Sequence, residues 1–198
     1  IGENAFYECN SIDSIILPVN LSTLGYRSFY NCYNAAGELV IPEKITTILS
    51  ETFKKCSNLT KLTLHSKSTY IYESAFLSCE NLTEIDFNTS LISIGDSAFE
   101  NCKNIQSLNL PDSLTTIGSS AFKDCKGIQK VNFSVSLNSL DTYAFKSCTS
   151  WAERIVIPPD LTEIKMETFA FCTSLISVQF PDGLNTLNQG CFQNCSSL

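Results

Sequence analysis

Cysteine is the residue in this chain with the widest choice of chemistry. The 198 residues include ten cysteines, and a thiol can bind a metal ion, attack a substrate or form a disulfide. Metal binding favours Cys-x-x-Cys pairs or cysteine with histidine, but the chain has no Cys-x-x-Cys and a single histidine, His65. A catalytic thiol needs a neighbouring base, and His65 lies beyond a predicted strand, away from the cysteine pattern. The sequence therefore predicts no metal site and no cysteine nucleophile.

The sequence gives equally little support for other catalytic arrangements. Glu84 and Asp86 stand two residues apart, as outward positions of one strand do, and this spacing does not favour a catalytic carboxylate pair. The many serines and threonines lie in neither a nucleophile elbow nor a glycine-rich phosphate loop. We therefore expect a protein that is not an enzyme and that needs no cofactor.

The elements that must position these residues follow from an internal repeat. A Phe-x-x-Cys pair recurs nine times, at intervals of 23 or 24 residues. The phenylalanines of the nine copies are Phe6, Phe29, Phe53, Phe76, Phe99, Phe122, Phe145, Phe169 and Phe192. An aliphatic residue stands five positions before each of them, and a small residue stands immediately before.

Each repeat contains the same sequence of local signals. After the cysteine, alternation such as Ile105-x-x-Leu108-x-Leu110 predicts a short strand, and five of the six prolines follow such strands. A second extended piece, as in residues 114–117, precedes one or two predicted helical turns that carry Ala-Phe-x-x-Cys. Because one such unit cannot bury its apolar face alone, the copies are predicted to stack into a solenoid.

Two repeats are one residue longer, with the extra residue between the cysteine and the strand. The second of them holds Trp151, the only tryptophan, at a position that is usually leucine or isoleucine. We interpret Trp151 as a core anchor in a widened turn, with an exposed contact residue as the alternative.

Nine of the ten cysteines occupy one repeat position and should form a ladder along the core. Stacked copies of one position point the same way, whereas a disulfide needs converging Cβ atoms about 3.5–4.5 Å apart. Free, buried thiols that act as small hydrophobic groups are therefore expected.

The full pattern is clearest in IQSLNLPDSLTTIGSSAFKDCKGI, residues 105–128. It resembles the BspA-like, or Treponema-type, leucine-rich repeats over the entire chain. This resemblance implies a right-handed, α/β horseshoe-like leucine-rich repeat solenoid, with a parallel β-sheet on one side and short helical turns on the other. It also implies a cell-surface or secreted protein linked to adhesion to host matrix proteins or to other microbes.

The composition disfavours two classes of partner, nucleic acids and membranes. A net charge of −7 disfavours nucleic acid, and no apolar run approaches the roughly 20 residues of a membrane helix, so no membrane insertion is expected. The chain starts and stops within a repeat. We therefore expect residues 1–198 to be one solenoid of about nine repeats, an uncapped fragment of a longer protein whose ends could associate with one another.

The outward strand positions of the predicted concave sheet form the candidate binding face. Glu84 and Asp86 should make an acidic spot beside Lys61, and Ile16 and Val40 a small apolar patch at one end. A basic, amide-rich spot should contain Asn109, Lys130, Asn132 and Arg154. Alternatively, these mixed charges only keep the sheet face soluble.

Three functions fit this pattern. The first is a protein-binding module that uses the sheet face for adhesion. The second is a structural spacer, and the third is an intracellular interaction scaffold, which free thiols would allow.

Overall fold

The alternating residues after each cysteine form the strands of a parallel β-solenoid. The computed structural model describes residues 1–198 and contains 14 strands, β1 to β14 in chain order, which alternate between two faces. The odd-numbered strands, which we call the first sheet, are β1 (Gly37–Val40), β3 (Leu59–Thr63), β5 (Glu84–Asp86), β7 (Ser107–Asn109), β9 (Lys130–Asn132), β11 (Ile155–Val156) and β13 (Val178–Gln179). Within each strand the central aliphatic residue points into the core and its neighbours point out.

The predicted second extended piece is also confirmed. The even-numbered strands, the second sheet, are β2 (Thr47–Ile48), β4 (Tyr70–Ile71), β6 (Ser93–Ile94), β8 (Thr116–Ile117), β10 (Ser139–Leu140), β12 (Glu163–Ile164) and β14 (Thr186–Leu187). Strands β2 to β10 form one continuous parallel ladder, and β12 pairs only with β14.

The prediction of helical turns around Phe-x-x-Cys is wrong, because the structure contains no helix. In each coil, two residues that flank the phenylalanine have positive φ, as at Ser97 (52°) and Asn101 (64°). Left-handed residues at this spacing interrupt a right-handed helix and turn the chain repeatedly. Backbone N–H groups then donate to the next coil, for example from Phe99 to the carbonyl oxygen of Ala121 at 2.8 Å. We call this third face the turn ladder.

The phenylalanine of the repeat forms the centre of the core. All nine rings stack on one another, with ring centroids 4.9 to 5.9 Å apart and ring planes within 10° of parallel. The six rings from Phe53 to Phe169 and the ring of Phe29 are buried, whereas Phe6 at one end is 38% exposed. The repeat period thus produces one continuous aromatic column rather than separate small cores.

The cysteine ladder lies beside this column, and the ten thiols are unpaired. Every cysteine of the ladder is buried except Cys9, which is exposed. From Cys32 onward each ladder thiol also donates a hydrogen bond to the carbonyl oxygen of the previous coil's phenylalanine, as from Cys102 Sγ to Phe76 O at 3.2 Å. The thiols are therefore donors that link successive coils, as well as small hydrophobic groups.

Burial changes the acidity of these thiols. It raises the pKa of Cys102 and Cys148 well above the ordinary value, and that of Cys172 to about 12. The pKa values of Cys79 and Cys125 are raised by the same cause. A thiolate would lose its hydration in the core, so the thiols stay protonated at neutral pH.

Trp151 occupies the core as interpreted, with 1% of its surface exposed. Its ring meets Phe145 edge-on at 5.5 Å and Phe169 at 6.1 Å. Trp151 is therefore a core residue and not an exposed contact residue.

Candidate functional site

The seven candidate residues all lie on the outer side of the first sheet, because strand alternation turns their neighbours inward. Parallel pairing puts Lys61 opposite Glu84, Thr63 opposite Asp86, and Asn109 opposite Asn132. Neighbours in the sequence pattern are therefore neighbours in space within each paired segment.

The first sheet is not continuous, which the sequence pattern did not predict. Strand β5 pairs with β3 but not with β7, and β9 pairs with β7 but not with β11. Strands β3 and β7 are followed by Leu64 and Leu110, whose N–H groups donate to the next coil. Strands β5 and β9 are followed by Phe87 and Phe133, whose N–H groups make no backbone hydrogen bond. We attribute both breaks to the larger phenylalanine ring, which holds the next strand away.

The first break opens a cleft of about 520 Å³ between β5 and β7, which we call the acidic cleft. Glu84 and Asp86 line one wall, and Gln106 and Asn109 line the other. Lys61 Nζ lies 3.3 Å from Glu84 Oε1 and 3.7 Å from Glu38 Oε1, and the Glu84 carboxylate raises the pKa of Lys61. The predicted acidic spot beside Lys61 is thus present, and it borders a cleft.

The second break opens a cleft of about 360 Å³ between β9 and β11, which we call the basic cleft. Lys130 and Arg154 line it, but they are not register partners as the repeat pattern suggested. Lys130 Nζ lies 3.7 Å from Glu153 Oε2, and Arg154 donates to Gln179. Glu153 is outside the predicted columns, because it precedes the strand in one of the longer repeats.

An asparagine pair lies between the two clefts. The amide nitrogen of Asn132 donates to the side-chain oxygen of Asn109 at 2.6 Å. Both residues are exposed, and each amide keeps polar atoms free for another partner. The structure therefore brings Asn109 and Asn132 together as expected.

A third opening lies at the N-terminal end of the same face, between residues 15–19 and β1. This cavity of about 410 Å³, the apolar pocket, is lined mainly by aliphatic side chains that include Ile16, Val19 and Val40. The sequence pattern had indicated Ile16 and Val40 only. Val19 lies in the turn after the strand position, where no column of the repeat marks it.

Carboxylates border this pocket. Glu38 and Glu43 contribute to its wall, and Lys67 Nζ lies 3.0 Å from Glu43 Oε1, which lowers the pKa of Glu43. His65 also lines the pocket, where its Nδ1 is 3.2 Å from the hydroxyl of Ser66.

The first-sheet face carries exposed charged and amide side chains. Glu84 and Asp86 point outward on one strand, and no group of three or more His, Cys, Asp or Glu residues is placed to hold a metal ion. Exposed charges, amides and one apolar cavity on a sheet can contact another macromolecule through side chains. No helix in the structure is both long enough and apolar enough to span a bilayer.

Repeated strand–turn coils around one core define a leucine-rich repeat solenoid, and solved structures agree. A T. pallidum leucine-rich repeat protein is similar, with a TM-score of 0.78 and 24% identity over 81% of this chain and 77% of that one. A Bacteroides ovatus leucine-rich repeat protein matches with a TM-score of 0.51, 24% identity, and 100% and 68% coverage. A Faecalibacterium prausnitzii protein described as a leucine rich cell surface protein matches with a TM-score of 0.55, 23% identity, and 100% and 67% coverage.

The family model for the BspA type leucine rich repeat region matches residues 1–105 and 69–198, in six copies. The chain therefore belongs to the BspA-type leucine-rich repeat family. No curated protein matches it in sequence. Leucine-rich repeat proteins typically bind other proteins and are typically not enzymes, so the family indicates a protein-interaction module.

Proposed function

We propose that this chain is a non-enzymatic binding module of a cell-surface or secreted protein, and that it adheres to extracellular matrix or host surface proteins through the outer face of its first sheet. The observation that carries the proposal is that three cavities of about 360 to 520 Å³ open on this face where the first sheet is unpaired. Openings of this size on an exposed face give side chains of a partner room to insert.

Charge is segregated along this face. Glu84 and Asp86 border the acidic cleft, and Lys130 and Arg154 border the basic cleft two coils further along. Single exposed ion pairs contribute about 0–1 kcal/mol, so no one of these residues would account for binding. Several together would select a partner with complementary charges and speed its association.

The cell-surface setting is supported by the family and by the description of the F. prausnitzii neighbour as a cell surface protein. The seven binding residues of the proposal are Lys61, Glu84, Asp86, Asn109, Lys130, Asn132 and Arg154. Replacing these side chains should leave the fold intact, because they point outward from the sheet.

The test is binding of the full chain to immobilised fibronectin, laminin, collagen and fibrinogen. A face variant replaces three basic and two acidic residues by alanine: Lys61, Glu84, Asp86, Lys130 and Arg154. A control variant makes the same charge change away from the first sheet, at Glu80, Glu100, Lys103, Lys123 and Lys146.

We expect saturable binding that the face variant loses and the control variant keeps, with both variants folded by circular dichroism. Equal binding by the face variant would move the site off the first sheet. If the folded wild-type chain binds nothing in the panel, the adhesive function is contradicted and the spacer or the intracellular scaffold replaces it.

A further inference from the structure

The apolar pocket is lined by the two most exposed large aliphatic side chains of the chain, Ile16 and Val19. Ile16 is 88% exposed, Val19 81% and Val40 49%, and the buried side chain of Ile41 forms part of the lining. Ile16 and Val40 are outward positions of adjacent coils, so their exposure follows from the strand pattern and not from disorder of the fold. A concave apolar site with a few polar groups at its border is the usual form of an anchor site.

The charged groups around the pocket indicate the sign of its partner. Glu38 and Glu43 are in the wall, and Glu84 and Asp86 lie on β5, two coils further along the same face. Three ammonium groups, those of Lys44, Lys61 and Lys67, lie among these four carboxylates. One carboxylate is in excess and the whole chain has a net charge of −7, so the surroundings favour a basic segment.

The pocket and the charged positions would make different contributions to binding. Most of the exposed charges on the face, although not Asp86, already have partners at 3.0 to 3.7 Å, so an incoming charge competes with existing ion pairs. Apolar anchors that fill a pocket usually carry most of the binding free energy, whereas polar groups at the border set orientation. A partner bound on this face should therefore be anchored at the apolar pocket.

We propose that the pocket binds an extended segment of a protein partner that inserts one aliphatic or aromatic side chain between Ile16, Val19 and Val40, with a lysine or arginine beside it that reaches Glu38. This inference rests on the proposed function, because it names the partner chemistry of the same face. It adds an anchor that the charged residues of the sequence pattern do not include.

The experiment uses the full chain with ¹³C-labelled Ile, Leu and Val methyl groups and three blocked hexapeptides. SKLKSG carries both features, SKSKSG lacks the apolar side chain, and SELESG inverts the charge. We expect SKLKSG to cause saturable shifts at the methyls of Ile16, Val19 and Val40, and the other two peptides to bind about tenfold more weakly or less.

Matched variants connect the response to the pocket. Val40→Asp should abolish the response to SKLKSG, whereas Val156→Asp should keep it. Val156 occupies the same outward strand position in another coil and is 54% exposed, close to the 49% of Val40. Ile16→Asp is a second pocket variant, and it should fold because Ile16 is 88% exposed.

Three results would overturn the inference: no saturable shift at the pocket methyls, an equal response to SKSKSG, or unchanged binding by both pocket variants. Methyl shifts that change on dilution without peptide would mean that a second copy of the chain occupies the pocket, and they would overturn it as well. Peptide binding without matrix binding would leave the pocket in place and contradict only the adhesive function.

Discussion

Alkaline pH should destabilise this protein unusually strongly, because the buried thiols cannot ionise without leaving the core. Cys79, Cys102, Cys125, Cys148 and Cys172 all have pKa values raised by burial. In the unfolded chain a thiol ionises near pH 8.5. The stability from the raised pKa is therefore fully present below about pH 8.5 and is lost as pH rises above it.

The magnitude follows from linkage. Each thiol that ionises only in the unfolded chain lowers the free energy of unfolding by about 0.8 kcal/mol at pH 9 and about 1.4 kcal/mol at pH 9.5. Five such thiols give losses of about 4 and about 7 kcal/mol relative to pH 7. Because the free energy of unfolding of a domain is typically about 5–15 kcal/mol, a loss of this size would bring the protein close to unfolding.

The assay is urea unfolding in a reducing buffer at intervals from pH 7 to 9.5, below the midpoints at which lysine and tyrosine titrate. Cys102→Ala should start less stable at pH 7 but lose about 1.4 kcal/mol less than wild type by pH 9.5. Cys9→Ala, which changes the exposed thiol, should keep the full loss. A wild-type loss below about 1 kcal/mol by pH 9.5 would refute the reasoning, because the thiols would then ionise almost equally in both states.

Two further predictions concern the core and one coil's turn. Phe99→Ala should lower the free energy of unfolding by about 3–5 kcal/mol, because the ring of Phe99 stacks on a phenylalanine on each side. Phe6→Ala, at an exposed end of the column, should lower it by only about 1–2 kcal/mol. Equal losses for the two variants would contradict the continuous column. Asn88→Ala should cost about 1–3 kcal/mol, because the buried amide donates to Ser68 O at 3.0 Å and accepts from Ser90 N at 2.6 Å. Asn20→Ala removes an exposed bond to Lys44 and is the control, with a cost near zero, and both costs are read from thermal or urea unfolding.

The repeat spacing was sufficient to predict both strand positions, the inward phenylalanine and the buried cysteine. Period-2 alternation and an interval of 23 or 24 residues recur at every coil, so any single ambiguous coil is corrected by the others. The outward positions of Lys61 and Glu84 follow from the same alternation, and the structure places them opposite one another.

The form of the turn could not be predicted in the same way. Phe-x-x-Cys spacing fits one face of a helix, but the left-handed backbone at Ser97 and Asn101 excludes it. Serine and asparagine are tolerated in both conformations, so their identity does not decide between them. Hydrogen bonds to the next coil stabilise the turn, and such bonds exist only once the coils are stacked.

The acidic and basic clefts could not be predicted from the sequence either. Phe87 and Phe133 occupy a core position that accepts any apolar residue by pattern, and the effect of their volume on strand pairing depends on the neighbouring coil. Only Ile16 and Val40 of the apolar pocket were marked by the repeat, since Val19 belongs to a turn.

The two sheets are interrupted together at one junction. Between the coil of β9 and β10 and the coil of β11 and β12, neither sheet continues, and the turn ladder carries most of the backbone bonds, including Phe145 N to Thr168 O at 2.9 Å. At the acidic cleft, by contrast, the second sheet runs through unbroken from β6 to β8. A load applied along the solenoid axis would thus separate the protein first near residues 140–163, into two blocks that each keep their own paired strands. For a protein that tethers one surface to another, this junction would set the force at which extension begins.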